Sequence, residues 1–283
     1  MKRIGLIGLD SSHAEDFLRH INVERRHPDL RITAMQGATP DRISALRQIS
    51  GDVAVFEQPN VLIAQVDAVI VGDRDGSLHR AHALPAITAG LPVFIDKPLA
   101  NSLADGIAIV AAARSRGTPL LSGSALRWQA ETRRLKALIA TLEPPIKLVT
   151  HGTWYPDSPY GGAIFYAIHT IELALELLGA EFADIERASR SPNAARYRIG
   201  SNRVTLDFRP PNADGSTSFG VSVRAGTIAF DQAITLGDDY MAPVVACFAK
   251  MLCTGRSPMS DDELLAPLRL MDVVNAVLPP TAN

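Results

Sequence analysis

The stretch Arg3-Ile4-Gly5-Leu6-Ile7-Gly8-Leu9-Asp10-Ser11-Ser12-His13 decides the fold. Its first part is a short apolar run that predicts a buried strand, and a polar loop, Gly8–His13, follows it. The next apolar residues have the i, i+3, i+4, i+7 spacing of one helix face: Ala14, Phe17, Leu18 and Ile21. A strand that leads directly into an amphipathic helix indicates one βα unit of a parallel sheet.

The same alternation continues through the first half of the chain. Further short apolar runs are typical of strands and lie at Arg31–Met35, Val53–Phe56, Val66–Val71, Val93–Ile95 and Leu120–Leu121. The segments between them predict helices at Asp41–Ile49, Ser77–Ala89 and from the capping box Ser102/Asp105 to Gly117. Strands joined through helices pair in parallel with right-handed crossovers. Residues 1–122 are therefore predicted to form a doubly wound α/β domain of the Rossmann type.

Residues 123–283 have a different pattern. A long helix is predicted over Gly161–Leu178, and strands with alternating apolar residues follow it. The turn Gly200-Ser201-Asn202 predicts a hairpin, and Ser260 with Glu263 predicts the start of the last helix. We expect an α+β domain with a largely antiparallel sheet.

The composition excludes several classes of protein. The counts of 28 Lys+Arg and 30 Asp+Glu give a net charge of −2, which provides no basic surface for nucleic acid or anionic membranes. No apolar run approaches the roughly 18 residues that span a bilayer, and Met1–Gly8 is interpreted as a strand rather than a signal peptide. The only cysteines, Cys247 and Cys253, provide neither a disulfide framework nor a metal cluster. We expect a soluble cytoplasmic protein.

Ligands of an open parallel sheet bind beyond the carboxyl ends of its strands, and in dinucleotide-binding proteins the first such loop reads Gly-x-Gly-x-x-Gly. Here only Gly8 matches. Asp10 puts a carboxylate where a pyrophosphate would lie, and like charges at about 4 Å cost about 4 kcal/mol at an effective dielectric of about 20. Ser11, Ser12 and the helix N–H groups favour phosphate instead. Either Asp10 turns away, the phosphate binds elsewhere, or no dinucleotide binds; alternatively, Asp10 or Ser11 only caps the helix.

The loop after the second predicted strand leaves the cofactor undecided. It reads Gln36-Gly37-Ala38-Thr39 and has no carboxylate for the adenosine ribose. Gln36 or Thr39 could contact a ribose or a 2′-phosphate, and the first arginine after the strand is Arg42. The choice between NAD and NADP stays open.

Lys97 is the most informative single residue. It is one of five lysines, follows a predicted buried strand and Asp96, and precedes Pro98, where a cis bond is expected. A lysine in such a crevice can serve as a proton donor or a substrate anchor. The alternative is a solvated loop lysine.

Five further titratable residues are candidates for the site. His169 shares one face of its predicted helix with Tyr166 and Glu172, three residues to either side. His79 and His82 are also three residues apart, but no third metal ligand accompanies them, so we predict ligand contact and no metal site.

Taken together, these residues resemble the Gfo/Idh/MocA family of glucose–fructose oxidoreductase-like and inositol dehydrogenase-like proteins, over nearly the whole chain. Asp96-Lys97-Pro98 resembles the family's Glu-Lys-Pro signature, whose lysine is usually catalytic, and Val71–His79 resembles the loop beside nicotinamide. Gly161 through His169 and Glu172 resembles its Gly-Gly-…-Asp-x-Gly-x-His-x-x-Asp helix. Phe165 and Ala167 replace the internal aspartate and glycine of that helix, so the chain resembles a divergent branch.

The resemblance implies roles for individual residues. Lys97, His169 and Tyr166 would be catalytic. The implied contacts to NAD or NADP are Gly8, Asp10, Ser11, Ser12, His13, Gly72, Asp73, His79 and Asp96. The implied substrate contacts are Lys97, Arg127, Tyr166, His169 and Glu172. The second domain would bind the substrate and form a homodimer or homotetramer.

The implied reaction is NAD(P)-dependent oxidation of a secondary alcohol of a sugar, cyclitol or related polyol. His169 would accept the hydroxyl proton and Lys97 would polarise the oxygen. Two alternatives remain. One is a protein that binds or senses a small ligand without redox chemistry, and the other is a lyase, isomerase or hydratase with Lys97 and His169 as acid and base.

Overall fold

The computed structural model of the chain describes residues 1–188 and 193–278. The described chain divides into two compact units. The first consists of Met1–Gly123 with Met241–Leu264, and the second of Ser124–Tyr240 with the segment that starts at Leu265.

The first unit contains a six-stranded parallel sheet. Its strands are β1 (Lys2–Ile7), β2 (Leu30–Gln36), β3 (Ala54–Val55), β4 (Ala68–Val71), β5 (Val93–Ile95) and β6 (Leu120–Ser122). Their order is β3-β2-β1-β4-β5-β6. Strands β4 and β5 are buried along their whole length, as expected of a parallel sheet that is covered on both faces. The order reverses between β1 and β4, and this is the point at which doubly wound sheets bind ligands.

Five helices connect these strands. They are α1 (His13–Leu18, continued by a π-helical turn at Arg19–Val23), α2 (Pro40–Ser50), α3 (Pro59–Ile63), α4 (His79–Thr88) and α5 (Leu103–Arg116). The predicted capping box is confirmed, since Ser102 Oγ accepts the Asp105 N–H at 3.1 Å. Gly117, with φ of 63°, ends α5 in the left-handed conformation. The sequence did not predict α3.

The second unit contains a mixed sheet with helices packed on it. After a 3₁₀ turn (Ala125–Trp128) come α6 (Ala130–Ile139), β7 (Lys147–Thr153), α7 (Ile164–Leu178), β8 (Ala183–Arg187), β9 (Ala194–Ile199), β10 (Asn202–Arg209), β11 (Phe219–Ala225) and β12 (Ile228–Ile234). The strand order is β12-β11-β7-β10-β9-β8, and only β7 and β10 pair in parallel. The predicted fold class, a Rossmann-type sheet plus a largely antiparallel α+β unit, is confirmed.

Helix α7 starts later than the sequence predicts and packs closely on β7. Gly161 and Gly162 have φ of 100° and 68°, so the helix begins only at Ile164. A Cβ on Gly152 of β7 would lie 2.2 Å from Thr170 Oγ1, and Thr150 Oγ1 donates to the Thr170 carbonyl at 3.1 Å. This close approach fixes the helical turn that carries His169.

The C-terminal segment corrects the predicted domain boundary. The sequence assigned all of residues 123–283 to the second domain, but α8 (Ala242–Thr254) belongs to the first unit. Its Phe248 ring lies 6.1 Å from the ring of Phe94 in β5, and Ser257 Oγ accepts the Leu120 N–H at 2.9 Å. An apolar helix surface that buries Phe248 on the parallel sheet outweighs position along the chain. The last helix, α9 (Asp261–Val277), starts at the predicted Ser260/Glu263 capping box.

Within the described residues, none of the helices has the length and apolar character needed to cross a bilayer.

Candidate active site

The loops that follow β1 and β4 meet at Gly8. This residue has φ of 76°, and a Cβ on it would lie 2.3 Å from Asp73 Cγ and 2.5 Å from the Asp73 nitrogen. A Cβ on Gly72 would lie 3.2 Å from the Gly8 carbonyl oxygen. Only glycine satisfies both the dihedral angle and the close approach at position 8. The structure thus brings Gly8, Gly72 and Asp73 together at the switch point of the sheet.

Asp10 turns its carboxylate to the neighbouring loop, and its Oδ1 accepts the Arg74 N–H at 2.9 Å. The interpretation of Asp10 or Ser11 as the helix cap is wrong, because α1 begins at His13 and follows Ser12, whose side chain makes no capping bond. Ser11 is only 7% exposed, and its hydroxyl oxygen has no hydrogen-bond partner among the described residues. A buried hydroxyl without a partner at this loop is available to a ligand oxygen.

Arg42, in the first turn of α2, binds the same loop. Its Nε donates to the Leu9 carbonyl at 2.8 Å and its Nη2 donates to the Ser11 carbonyl at 2.8 Å. Its Nη1 also pairs with the Glu15 carboxylate. This guanidinium is therefore occupied by three acceptors of the first unit.

Asp96, Lys97 and His13 form a buried charged group beyond β5. His13 Nδ1 lies 2.6 Å from Asp96 Oδ2, Asp96 is 3% exposed and Lys97 is 9% exposed. Burial disfavours the Asp96 carboxylate, but the His13 ring and the Lys97 ammonium outweigh burial and lower the pKa of Asp96 to about 2. The peptide bond before Pro98 is cis. Lys97 thus follows a carboxylate that stays ionised at neutral pH, and the interpretation as a solvated loop lysine is wrong.

The structure corrects the assignment of His79 to cofactor contact. His79 is fully buried, and its ring nitrogens lie 2.8 Å from the Pro98 carbonyl and 2.9 Å from the Asp73 carbonyl. Both nitrogens are occupied by main-chain oxygens, so His79 links the loop after β4 to the Lys97–Pro98 turn instead. Asp73 is itself 5% exposed and binds His82 Nδ1 through Oδ2 at 2.7 Å, which raises the pKa of His82.

The second unit contains the His169 group. His169, on α7, is 8% exposed, and its Nδ1 lies 2.7 Å from Ser124 Oγ. Its ring lies 5.2 Å from the ring of Tyr166 and 5.4 Å from that of Phe219. The half-buried Tyr166 ring also contacts Tyr155 at 4.9 Å. The predicted stripe of Tyr166 and His169 is therefore real, and an aromatic wall flanks the imidazole.

Arg127 and Glu172, both assigned to substrate contact, are occupied by structural bonds. They are 5% and 2% exposed. Arg127 Nη2 pairs with Glu176 at 2.8 Å, Arg127 Nη1 lies 3.7 Å from Glu172, and Glu172 Oε2 accepts the Ser124 N–H at 2.8 Å. Buried charges are stable only when they are paired. These bonds hold Ser124 and α7 in place, whereas Arg127 Nη1 is buried and has no hydrogen-bond partner among the described residues, so substrate contact by Arg127 and Glu172 stays a prediction.

The sequence did not indicate that Arg42 hydrogen-bonds to the loop between β1 and α1. It also did not indicate that Ser124 is the hydrogen-bond partner of His169. A signal for Ser124 existed, because it follows the end of β6, where a parallel sheet presents its functional loops. For Arg42 the only signal was indirect. A loop that lacks two of the usual glycines needs other contacts to fix its backbone conformation.

The geometry can now be compared with known proteins. Residues 2–124 match a family model described as an oxidoreductase family with an NAD-binding Rossmann fold, GFO_IDH_MocA. Through this segment the chain is similar to the Gfo/Idh/MocA family.

Relatives with curated functions match parts of this chain. Inositol 2-dehydrogenase of Acidothermus cellulolyticus is 36% identical over 117 residues, which cover 41% of this chain and 33% of the relative. Inositol 2-dehydrogenase 1 of Saccharopolyspora erythraea is 29% identical over 190 residues, which cover 62% and 55%. The matched segments thus span between a third and about half of these relatives.

Solved structures share the fold of this chain over nearly its full length. Myo-inositol 2-dehydrogenase from Lactobacillus plantarum has a TM-score of 0.81 and covers 98% of this chain and 97% of its own, at 14% identity. At that identity the likeness concerns the fold.

The residues present at the switch point fit a dinucleotide of the kind that the Gfo/Idh/MocA model describes. Gly8 leaves no side chain at the strand end, Asp10 is turned to Arg74, and the buried Ser11 hydroxyl has no partner among the described residues. The residues that would hold the pyrophosphate are Gly8 and the Asp10–Ser12 segment, together with Gly72 on the adjacent loop. The glycines that are missing from the sequence motif therefore do not exclude the cofactor.

The depressed pKa of Asp96 predicts a specific pH dependence of stability. A carboxyl group with a pKa of about 2 in the folded state and 3.8 in the unfolded state stabilises the fold above pH 3.8. That contribution, about 2 kcal/mol, is lost as the pH falls from about 5 towards 2. Urea unfolding at pH 5 and at low pH should therefore show a smaller pH effect in Asp96→Asn than in the wild type. Asp52→Asn, at a side chain that is 93% exposed, is the control. Equal pH effects in all three proteins would contradict the assignment.

Proposed function

We propose that this chain is an NAD(P)-dependent oxidoreductase that interconverts a secondary alcohol and a ketone of a sugar, cyclitol or related polyol. The observation that carries the proposal is Lys97, a buried ammonium at the carboxyl end of β5 beside an ionised Asp96. The inositol dehydrogenases among the relatives support the choice of substrate class. NAD(P), when bound, supplies a two-electron hydride acceptor.

In this proposal the chain's own residues move and hold the proton. His169 Nδ1 lies 2.7 Å from Ser124 Oγ, and in the tautomer that carries the proton on Nδ1 the other ring nitrogen, Nε2, accepts the substrate hydroxyl proton. Lys97 is a hydrogen-bond donor that stabilises the negative charge that develops on a substrate oxygen. The Lys97 ammonium attracts the Asp96 carboxylate and helps to keep it ionised, and Tyr166 limits the rotation of the His169 ring by edge contact.

The other two hypotheses have less support. A sensor without redox chemistry was suggested by Asp10 and by the missing glycines, but Asp10 is occupied by Arg74 and the loop keeps a free Ser11 hydroxyl. A lyase or isomerase needs the same acid and base but no dinucleotide site. The matched oxidoreductase family model favours redox chemistry over both.

Titration with NADH and NADPH tests the proposal directly. We expect NADH to bind in the micromolar range and NADPH about tenfold more weakly. A 2′-phosphate needs a free cation, Gln36–Thr39 contains none, and Arg42 is occupied by three acceptors. The measurement is the change in nicotinamide fluorescence. NADPH binding as tight as NADH binding would contradict the preference, and no binding of either up to millimolar concentration would refute the proposed function.

We also propose that the protein acts in the cytoplasm as a homodimer or homotetramer. The support is the resemblance to the Gfo/Idh/MocA family.

A further inference from the structure

Arg42 makes a contact pattern that differs from an ordinary surface arginine. Its guanidinium reaches back 33 residues along the chain to Leu9 and 31 residues to Ser11, and it donates to both carbonyl oxygens at 2.8 Å. The Glu15 carboxylate, on α1, pairs with the remaining terminal nitrogen and holds the planar guanidinium group in this orientation. One rigid guanidinium group thus fixes the carbonyl groups of Leu9 and Ser11 in the β1–α1 loop.

The consequence follows from the geometry of the trans peptide. In a planar trans unit the C=O and the following N–H point in opposite directions. The Leu9 carbonyl faces Arg42, so the Asp10 N–H faces away from it, and the same holds for the Ser11 carbonyl and the Ser12 N–H. Among the described residues these two N–H groups have no acceptor within the protein. The Ser11 hydroxyl between them is buried and also has no partner there.

We propose that Arg42 is a positioning residue that replaces the two missing loop glycines by orienting the Asp10 and Ser12 N–H groups towards a pyrophosphate. A glycine-rich loop reaches this arrangement because small residues let the backbone adopt it. Here the loop carries side chains at those positions, and two charge-assisted hydrogen bonds fix the peptide planes instead. The positive guanidinium also offsets the negative charges of Asp10 and Glu15 on either side of the loop. The inference rests on the proposed function only for the identity of the ligand, a dinucleotide.

Three variants separate positioning from simple charge. Arg42→Met removes both the charge and the two hydrogen bonds, whereas Arg42→Lys keeps the charge but cannot bridge two carbonyls with one planar group. Arg47→Met is the matched control, since Arg47 lies in the same helix and binds Asp52 and the Val53 carbonyl at the other end of α2. The probes are ADP-ribose, which contains the pyrophosphate, and adenosine, which does not.

Calorimetric titration of the full chain measures the effect. We expect the dissociation constant for ADP-ribose to rise about tenfold or more in both Arg42 variants and to stay within about twofold of the wild type in Arg47→Met. Adenosine affinity should not change in any variant, and a purely structural defect would lower it together with ADP-ribose affinity. Circular dichroism confirms folding, and Arg42→Lys serves if Arg42→Met does not fold.

The possible outcomes are distinct. Wild-type affinity for ADP-ribose in Arg42→Met overturns the inference, and so does full retention in Arg42→Lys, which would leave charge alone as the cause. Absence of ADP-ribose binding to the wild type also overturns it. Failure of the proposed function has another signature, because the wild type would then bind ADP-ribose with the predicted Arg42 dependence yet oxidise no alcohol.

Discussion

Replacing Lys97 with methionine is expected to lower kcat for alcohol oxidation by about 10³-fold while leaving the fold intact. Lys97 is 9% exposed at the carboxyl end of β5, and loss of its ammonium removes the donor that stabilises the developing negative charge on a substrate oxygen. Methionine keeps an unbranched side chain of similar length, so the surrounding packing is preserved. Asp96 keeps its hydrogen-bond partner, since His13 Nδ1 lies 2.6 Å from Asp96 Oδ2.

The measurement is the formation of NADH with a panel of cyclitols and sugars that begins with myo-inositol. Lys250→Met is the matched control, because this lysine is exposed on α8 and has no place in the proposed reaction. NADH affinity should stay within about threefold of the wild type in both variants, which would separate a chemical defect from a binding defect. Normal turnover by Lys97→Met would remove Lys97 from the mechanism.

Local periodicity was enough to predict the fold. The runs that became β1, β2, β4 and β5 are apolar because both faces of a parallel sheet are covered, and this pattern is visible without any tertiary information. The predicted caps at Ser102 and Ser260 are confirmed for the same reason, since a capping box spans only three residues. The assignment of α8 to the first unit was not predictable in this way, because it depends on contacts between Phe248 and a strand about 150 residues earlier.

The same difference between local pattern and long-range contact applies to the candidate site. Position after a buried strand was enough to single out Lys97, and helical spacing was enough to place Tyr166 beside His169. Sequence alone could not tell which polar residues are already occupied. His79 and Arg127 are of residue types that bind ligands, but in the fold two main-chain carbonyls lie at the ring nitrogens of His79, and the Glu176 carboxylate pairs with Arg127 Nη2.

The missing glycines illustrate how a motif can be absent while its geometry remains. In the sequence alone, Asp10 is a negative charge where the pyrophosphate of a dinucleotide would bind, and it disfavours that ligand. In the fold, the Arg74 N–H binds the Asp10 carboxylate, and Arg42 fixes the peptide planes of the β1–α1 loop. Both partners come from other βα units, so no local pattern could have indicated them.

Replacing His169 with glutamine is the second substitution with a large expected effect, a fall in kcat/KM of about 10²- to 10⁴-fold. Glutamine can still donate a hydrogen bond from its amide to Ser124 Oγ, so α7 should keep its position on β7. It has no nitrogen lone pair that accepts a proton at neutral pH, and the alcohol therefore loses its general base. The reaction with the panel of alcohols should slow while NADH affinity stays unchanged, because the residues proposed to hold the dinucleotide all lie in the first unit.

Two further variants determine whether the imidazole acts chemically. Ser124→Ala keeps His169 but removes the partner 2.7 Å from Nδ1, and a smaller loss of about tenfold in kcat with little change in KM is expected if Ser124 only orients the ring. His151→Gln, on β7 of the same unit, is the control and should behave like the wild type. A His169→Gln protein that keeps wild-type kcat/KM would exclude His169 as the base. If that variant and Ser124→Ala raised KM alone, the pair would serve to bind the substrate rather than to accept its proton, because a residue that acts only on binding leaves kcat unchanged.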